Sequence, residues 1–491
     1  MKLMVDKLTL QLARRLRSQY GASSERFADG QTSLIEPAVL DELPRPKTAV
    51  EAAANGAGTD RSLPVHLPRE QHDIRPEATA AHHDALGQPC GCTACGGRLR
   101  VLGSDVSHHL EYVPARFKVI RTVRDKLACT ACQTIFQASA PSRPIPRGLA
   151  GAGLLAHVMV SKYCDHLPLY RLSRIFAREG VDIDRATMAG WVEQVHTLLQ
   201  PLVASLGRYV RQGAKVHADD TPVKVLAPGH GKTRTGRLWV YVRDDRPAAG
   251  NEPPAAWYRY SADRKGEHPR AHLRGFTGIL QADAYGGWGG LYDSGVTEAA
   301  CWAHARRPWW DLYEEHRDEQ GLAAQALRRI QALYAIEADI RGQPPEMRRQ
   351  QRQARAGPLL EEFYGWLYAV LTKVSTKSEL AKAARYSLVR WAALTRYVDD
   401  GRIEIDNSAA ERAIRGIALG RSNYLFMGSD EGGHRAASLY SLVETAKLNA
   451  LDPQAYLREV LQRIAEHPIN RVDELLPWNI GRQPDPQRMA A

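Results

Sequence analysis

Two adjacent carboxylates, Asp219 and Asp220, lie within residues 215–226, where alternating apolar and polar residues predict a buried β-strand. Two like charges side by side in a strand cost free energy unless a metal ion, an arginine or water compensates them. Strand alternation places the two carboxylates on opposite faces. It does not identify the functional one, although the apolar residues on the face of Asp220 would favour that residue.

Two further carboxylates could complete a metal site with this pair. Asp283 ends a predicted strand that begins at Gly278, and Glu411 lies one turn into a predicted helix that Asn407 or Ser408 can cap. Carboxylate oxygens suit Mg²⁺ or Mn²⁺. Two such ions, about 3.5–4 Å apart, activate a water or a 3′-hydroxyl and stabilise the leaving oxygen in phosphodiester displacement. Spacing alone leaves open that the same carboxylates cap helices and pair with arginines.

Two CxxC pairs, separated by strands predicted within residues 107–124, indicate a different kind of metal site. The predicted ligands are Cys92, Cys95, Cys129 and Cys132. Four thiolates on two such turns suit a tetrahedral zinc ion, which would be structural and closed to catalysis. Cys90 could replace Cys92 as a ligand, and a redox dithiol or free cysteines are the alternatives.

A CxxH pair, Cys301 and His304, lies where the fifth predicted strand runs into a helix. Metal binding is one interpretation, but two ligands do not make a site. The position favours a structural role, in which the pair orients the helix that follows.

The elements that must position these residues begin at residue 213. Strands are predicted at residues 215–226, 237–243, 255–261, 278–283 and 296–302, with helices at 266–274 and 303–314. We interpret this order as a ribonuclease-H-like α/β sheet, with the first carboxylate on the first strand and the second at the end of the fourth. The loop between the first two strands is predicted to carry Lys232 and Arg234.

Helices are predicted at residues 152–163, 168–179 and 185–199, with Gly180 ending the second and Asp184 capping the third. This is helix-turn-helix spacing, which is typical of DNA-binding proteins. The arginines placed for phosphate contacts in these helices are Arg171, Arg174, Arg178 and Arg185. Those that flank the candidate metal site are Arg306, Arg307, Arg412, Arg415 and Arg421.

The whole chain is predicted to be a multidomain α/β protein. Its segments are an N-terminal helix (1–42), a flexible linker (43–75), a zinc-binding ribbon-like domain (76–146), a helix-turn-helix-like DNA-binding segment (147–212), a first catalytic part (213–304), an all-helical insertion of about three helices (305–399), a second catalytic part (400–450), and a C-terminal helix and tail (451–491). Within the insertion, residues 347–355 carry four arginines. These could contact DNA, but we interpret them as a solvated face.

The composition agrees with a nucleic-acid partner. The chain has 491 residues, a net charge of +11 and a pI near 9.3, which favour a polyanion. The sequence has no apolar run of the ~18 residues that a membrane helix needs, and the first residues lack the apolar core of a signal peptide. We therefore expect a cytoplasmic protein and no membrane partner.

Four ordered motifs resemble the TnpC-type bacterial insertion-sequence transposases, the family named after insertion sequence sixty-six. They occupy residues 217–222, 280–287, 301–307 and 407–415, and further likeness is found at residues 20–26, 438–447 and 474–478 and in the CxxC pairs. The resemblance implies a DDE transposase that uses Mg²⁺ for strand cleavage and strand transfer at terminal inverted repeats, and a protein associated with the bacterial nucleoid. It matches Asp219, Asp283 and Glu411 to the DDE triad, and the four CxxC cysteines to a zinc-binding segment.

Two departures from the family pattern bear on this expectation. Only about twenty residues precede the Gly-Ala-Ser-Ser-Glu-Arg motif, where family members often have a longer leucine-rich helix. Asp220 stands where the family often has Glu. Double-stranded DNA at the inverted repeats and the target is the expected partner, with a homo-oligomer on DNA and small accessory proteins from the same element as further candidates. The alternatives are a zinc-containing sequence-specific DNA-binding protein with an inactive catalytic domain, and a related nuclease such as a junction resolvase.

Overall fold

The computed structural model describes residues 79–83, 89–91, 117, 119, 126–128, 135–137, 142–146, 148–227, 229 and 231–480. The chain divides into two compact units, residues 47–121 and a larger unit of residues 1–46 and 122–491. The smaller unit contains β1 (Thr79–His83) and β2 (Pro89–Gly91), which pair antiparallel. The predicted N-terminal helix, the linker and the four predicted zinc ligands lie outside the described residues.

The larger unit contains a short antiparallel pair and one five-stranded sheet. The short pair is β3 (Lys126–Ala128) and β4 (Ile135–Gln137). The sheet is formed by β5 (Lys215–Val225), β6 (Arg234–Arg243), β7 (Ala255–Ser261), β8 (Ile279–Gln281) and β9 (Thr297–Ala299).

The strand order in this sheet is β7-β6-β5-β8-β9, so β5 lies at its centre. β6 pairs antiparallel with both β5 and β7, while β5, β8 and β9 are parallel. The five strands predicted from residue 215 onwards are all found. The prediction that Arg234 lies in a loop is wrong, because β6 begins at Arg234 and pairs it with Val225 of β5.

Helices make up most of the remaining described chain. They are α1 (Ala152–Tyr163), α2 (Leu169–Arg178), α3 (Arg185–Arg211), α4 (Glu267–His272), α5 (Gly289–Tyr292), α6 (Trp302–His316), α7 (Leu322–Ile340), α8 (Pro345–Gln351), α9 (Gly357–Lys373), α10 (Glu379–Val389), α11 (Trp391–Thr395), α12 (Ser408–Gly420), α13 (Asp430–Leu448), α14 (Pro453–Arg463) and α15 (Pro477–Ile480).

The turn between α2 and α3 forms as its residues predict. Gly180 adopts a left-handed φ of +80°, which ends α2, and the Asp184 carboxylate accepts the backbone N–H groups of Ala186 and Thr187, which begins α3. The predicted end of α3 at residue 199 is wrong, because the helix continues through Pro201 to Arg211. Its apolar face remains buried along the whole length, and this packing offsets the hydrogen bond that proline removes.

The sheet is covered by helices from distant parts of the chain. α13 packs on β7, α12 packs on β5, and α3 contacts both α13 and β7. α13 is suited to this position because Ala436, Leu439 and Leu442 are fully or almost fully buried at helical spacing. α14 packs against α1.

The stretch between β9 and α12 is helical, as predicted. α6 corresponds to the helix predicted at residues 303–314, and the rest of the stretch contains five helices, α7–α11, rather than about three. The common core of α6–α11 includes Trp302, whose ring lies 6.0 Å from that of Phe363 and whose indole N–H donates to the Leu394 carbonyl. The interpretation of residues 347–355 as a solvated face is wrong for two arginines. Arg348 and Arg352 are only 1% and 0% exposed, because both pair with Glu337.

No helix among the described residues is both long and apolar enough to cross a membrane.

Candidate functional site

The parallel pairing of β5 with β8 brings Asp219 and Asp283 close together. His217 of β5 is paired with Gln281 of β8 in a parallel register, and each aspartate follows its paired residue by two positions. Asp219 Oδ1 accepts the backbone N–H of Asp220 at 2.7 Å. Burial raises the pKa of Asp219 well above its usual value, and the negative charges of Asp283 and Glu411 raise it further.

Asp283 is held by its own loop. Its Oδ1 accepts the Trp288 indole N–H at 2.8 Å and the Tyr285 backbone N–H at 3.1 Å. Its Oδ2 lies 3.7 Å from the guanidinium of Arg264. One carboxylate oxygen is therefore fixed by two neutral donors, and the other is directed towards a cation.

Glu411 reaches the site from the first turn of α12. Burial, together with the neighbouring Asp406 carboxylate, raises the pKa of Glu411 to about 7, while Arg307 and Arg412 act in the opposite direction. Its side chain is nevertheless about one-third exposed (32%), so it faces an opening rather than the core.

Asn407 attaches α12 to β5. Its side-chain amide donates to the Ala218 carbonyl at 2.8 Å, and its Oδ1 lies 3.1 Å from Nδ1 of His217. The side chain of Asn407 makes no cap hydrogen bond; instead Asp406 Oδ1 accepts the Ser408 N–H at 3.0 Å. This anchoring fixes the start of α12 and so the position of Glu411, one turn further on.

Asp219, Asp283 and Glu411 thus lie close together, and the charges of Asp283 and Glu411 raise the pKa of Asp219. The ligand atoms of these three carboxylates do not all lie within 4.8 Å of one another. That tight spacing is not required for two ions about 3.5–4 Å apart, because each ion needs only some of the carboxylates. The donors are all carboxylate oxygens, which fits hard divalent cations.

Asp220 has a different environment from its neighbour. Its side chain is fully buried (0% exposed), and its carboxylate lies 2.9 Å from Arg237 and 2.8 Å from Arg264. Arg264 also covers the ring of Tyr285 at 4.1 Å from the centroid. Asp220 therefore orients Arg264 next to Asp283. Sequence patterns missed Arg237 and Arg264, because only the strand pairing and the loop after β7 bring them to Asp220.

The CxxH pair lies beside the carboxylates. Cys301 is buried, its sulfur accepts the Asn407 N–H at 3.2 Å, and burial raises the pKa of its thiol well above the usual value. His304 Nδ1 lies 3.7 Å from Glu411 Oε1. Cys301, His304 and Glu411 form one of two described groups of three residues whose ligand atoms all lie within 4.8 Å. The second group is Asp263, Glu267 and His268.

A cavity of about 830 Å³ opens from Asp283 and His304 towards α10. Its wall includes three cationic side chains, Arg264, Arg307 and Lys382, and the aromatic rings of Tyr285 and Tyr386. Acidic residues of α6 and α10 line the same space. Cationic and aromatic groups next to a carboxylate site suit phosphate and base contacts.

The arginines predicted to contact DNA fall into two locations. Those of α2 and the start of α3, Arg171, Arg174, Arg178 and Arg185, are all exposed. Near the carboxylates, Arg307 and Arg415 are exposed, Arg412 is half-buried, Arg306 lies over the Trp310 ring, and Arg421 donates to the Pro222 carbonyl. Arg306 and Arg421 thus have contacts within the protein.

Comparison with protein families covers nearly the whole chain. The model described as "Transposase IS66 family" matches residues 147–435, and "IS66 C-terminal element" matches residues 441–478. "Zinc-finger binding domain of transposase IS66" matches residues 89–133, a range that contains all four predicted zinc ligands. "Transposase C of IS166 homeodomain" matches residues 7–71.

Similar full-length relatives come from Sinorhizobium fredii. "Uncharacterized protein y4hP" is 39% identical over 490 residues, which cover 96% of this chain and 87% of that protein. "Uncharacterized protein y4jD" is 36% identical over 497 residues, which cover 97% of this chain and 95% of that protein.

Proposed function

Because the chain belongs to the IS66 family of transposases, as the match over residues 147–435 shows, we propose that it cuts DNA at the inverted repeats of an insertion sequence and joins the cut strand to target DNA. The resemblance expected from the motifs is confirmed, and the family matches support a transposase or DNA-binding role with DNA as partner. The observation that carries the catalytic proposal is the convergence of Asp219, Asp283 and Glu411 beside the central strand β5.

The strand order β7-β6-β5-β8-β9, with β6 antiparallel, supports the proposal that the catalytic part is ribonuclease-H-like. In this arrangement the first carboxylate lies on the central strand and the second just past the neighbouring parallel strand. The helical region α6–α11 then separates these strands from α12, which contributes the third carboxylate.

In this proposal Asp219, Asp283 and Glu411 hold Mg²⁺ or Mn²⁺. Two such ions, when bound, supply an activated water or 3′-hydroxyl and stabilise the leaving oxygen. The protein positions the ligands: Trp288 fixes Asp283, and Asn407 fixes the start of α12. Arg264 and Arg307, on the cavity wall, are placed to contact the phosphates that flank the cut.

The protein would also contact DNA at a second location, distant in sequence from the carboxylates. The exposed arginines of α2 and α3 support a phosphate-contacting role for the helix-turn-helix-like segment. The zinc-finger match supports a structural zinc, and we propose Cys92, Cys95, Cys129 and Cys132 as its ligands. Assembly as a homo-oligomer on DNA, with or without accessory proteins of the element, belongs to the same proposal.

The test uses the purified full-length chain, Mg²⁺ or Mn²⁺, and DNA that ends in the element's inverted repeats. We expect cuts that leave 3′-hydroxyl ends, and loss of cutting in Asp219→Ala, Asp283→Ala and Glu411→Ala. Asp293→Ala is the matched control, because Asp293 is an exposed carboxylate ten residues from Asp283 in the sequence. Cutting by Asp283→Ala at the wild-type rate would contradict the assignment of the triad.

The same assay separates the alternatives. Specific binding of the inverted repeats without cutting under either ion would indicate a DNA-binding protein with an inactive catalytic domain. Preferential cutting of four-way junctions over element ends would indicate a resolvase.

A further inference from the structure

Cys301, His304 and Glu411 bring three different donor types to one point beside the carboxylates. Their ligand atoms all lie within 4.8 Å of one another. We propose that these three residues form a second site for a transition-metal ion of the zinc type, separate from the zinc of the CxxC segment. The binding itself does not depend on the proposed function, although the site shares Glu411 with it.

The donor set selects the kind of ion. A thiolate, an imidazole and a carboxylate are the ligands of zinc, at about 2.3, 2.0–2.1 and 2.0–2.2 Å respectively. A nitrogen and an oxygen at such distances from a tetrahedral ion lie about 3.4 Å apart. The observed separation of His304 Nδ1 and Glu411 Oε1 is 3.7 Å. Mg²⁺, which prefers oxygen ligands throughout, is a poor match for this set.

An unpaired nitrogen gives a second, independent indication. His304 Nδ1 is buried and has no hydrogen-bond partner within the part of the chain that the structure describes. Its distance of 3.7 Å from Glu411 is too long for a hydrogen bond. A buried polar atom without a partner costs free energy, and it often marks a missing water or ion. An ion between the two side chains would use both of them.

The backbone positions the sulfur for the same role. Cys301 is the N-cap residue of α6, and His304 follows three residues later, on the same side of the first turn. The Asn407 N–H donates to the sulfur at 3.2 Å. The backbone N–H groups of His304 and Asn407 favour the thiolate, which is the form that binds metal, and act against the burial that raises the pKa of the Cys301 thiol. The sequence offered only two ligands, Cys301 and His304, and therefore favoured a structural role for the CxxH pair. The third ligand, Glu411, lies on α12, which the fold brings next to this pair.

Sharing of Glu411 has a functional consequence. An ion held by Cys301 and His304 would engage the carboxylate that the proposed function assigns to Mg²⁺ or Mn²⁺. Zn²⁺ should therefore inhibit Mg²⁺-dependent cutting, and Cys301→Ser should weaken that inhibition. This consequence rests on the proposed function, whereas the binding can be measured without DNA.

The binding test compares the zinc content of full-length proteins by mass spectrometry after equilibration in a zinc-buffered solution. We expect Cys301→Ser and His304→Gln to contain one zinc per chain less than the wild type. Cys164→Ser is the matched control, because Cys164 is also a free cysteine and its replacement should leave the zinc content unchanged. Equal zinc content in the wild type and in both site variants would overturn the proposal.

A second measurement covers the case in which Cys301→Ser does not fold. Glu411 is partly exposed, so Glu411→Gln is expected to fold, and its dissociation constant for Zn²⁺ at this site should rise at least about 10-fold. An unchanged constant would remove Glu411 from the site and overturn the proposal. A chain that binds the additional zinc but cuts no DNA would contradict the proposed function alone.

Discussion

Two positions on the central strand β5, four residues apart, hold charge in opposite ways. At the start of β5, Lys215 is completely buried; its ammonium group donates to the Arg402 carbonyl at 2.8 Å and lies 3.8 Å from Glu404. In the middle of β5, Asp219 is half-buried and lies near the carboxylates of Asp283 and Glu411. The first position pairs opposite charges, and the second concentrates like charges.

This difference indicates that Lys215 belongs to a structural network and Asp219 to a binding site. Glu404 also pairs with Arg348, which pairs with Glu337, so the network joins β5 to the helical region α6–α11. Buried ions of opposite sign hold one another in place, and removal of one leaves the other uncompensated. Carboxylates that repel one another have raised pKa values, and their ionised forms cost free energy unless a cation joins them. The comparison therefore predicts opposite effects on stability when a charge is neutralised in the network of Lys215 and when one is neutralised at Asp219.

The largest effect is expected for Glu337→Gln. Glu337 pairs with Arg352 at 2.6 Å and with Arg348 at 3.4 Å, and all three side chains are buried. Its neutralisation leaves two buried guanidinium groups short of a counter-charge, so the free energy of unfolding should fall by about 3–5 kcal/mol. Urea denaturation, followed by the fluorescence of Trp302 and Trp309 in the adjoining core, measures this change.

Glu346→Gln is the matched control for this variant. Glu346 pairs with Arg349 at 2.7 Å, but both side chains are exposed, so water and salt screen the pair. No measurable loss of stability is expected. Equal losses in the two variants would show that burial does not determine the strength of this network.

A pH dependence follows from Glu404. Lys215 and Arg348 lower the pKa of the Glu404 carboxyl to about 2, against a usual value of 4.5, although burial acts in the opposite direction. Because the pKa is lower in the folded state, the stabilisation is complete above about pH 4.5 and is lost as the pH falls towards 2. Its size is about 3 kcal/mol, from about 1.4 kcal/mol per pKa unit.

This dependence is measured as the difference in unfolding free energy between the wild type and Glu404→Gln. The difference should stay constant from pH 7 to 5 and shrink between pH 4.5 and 3. A difference that stays constant or widens in this acid range would show that the carboxylate is not held ionised by its partners.

Local patterns predicted much of the fold. The helix at 152–163 and the strand at 255–261 have the predicted bounds, because their periodicity and their flanking glycines and prolines are local features. The end of α3 was wrong, since Pro201 is a local stop signal that long-range packing overrides. Arg348 and Arg352 were assigned to solvent, because their partner Glu337 lies on another helix.

In the candidate site, too, local sequence and long-range contacts determine different features. Asp219, Asp283 and Glu411 were chosen by resemblance, since strand alternation alone could not separate Asp219 from Asp220. The role of Asp220 depends on Arg237, which the strand register places beside it, and on Arg264, which a loop brings back. Such partners are fixed by pairing between segments, and the spacing of residues along the chain does not contain that information.

Asp220→Asn should have the next largest effect on stability. Its carboxylate accepts hydrogen bonds from Arg237 and Arg264, both at 2.9 Å. Neutralisation weakens two charge-assisted hydrogen bonds and should lower the free energy of unfolding by about 1.5–3 kcal/mol. Urea denaturation at pH 7 measures it. Asp220→Glu, which keeps the charge, is the control and should lose less; an Asn variant as stable as the wild type would contradict the ion pairing.

The smallest effect, and the only one of opposite sign, is expected for the adjacent residue. Asp219→Asn removes one of several carboxylates that repel one another, and the asparagine oxygen can still accept the Asp220 N–H. In buffer without added divalent ions, the free energy of unfolding should therefore rise by about 0.5–2 kcal/mol, as is common when a functional charge is removed. With Mg²⁺ or Mn²⁺ the order should reverse, because an ion that binds only the folded wild type adds about 2.7 kcal/mol at 100 times its dissociation constant. Urea denaturation of both proteins with and without the ion measures the reversal. A variant less stable than the wild type without ions would mean that Asp219, like Lys215, belongs to a closed structural network.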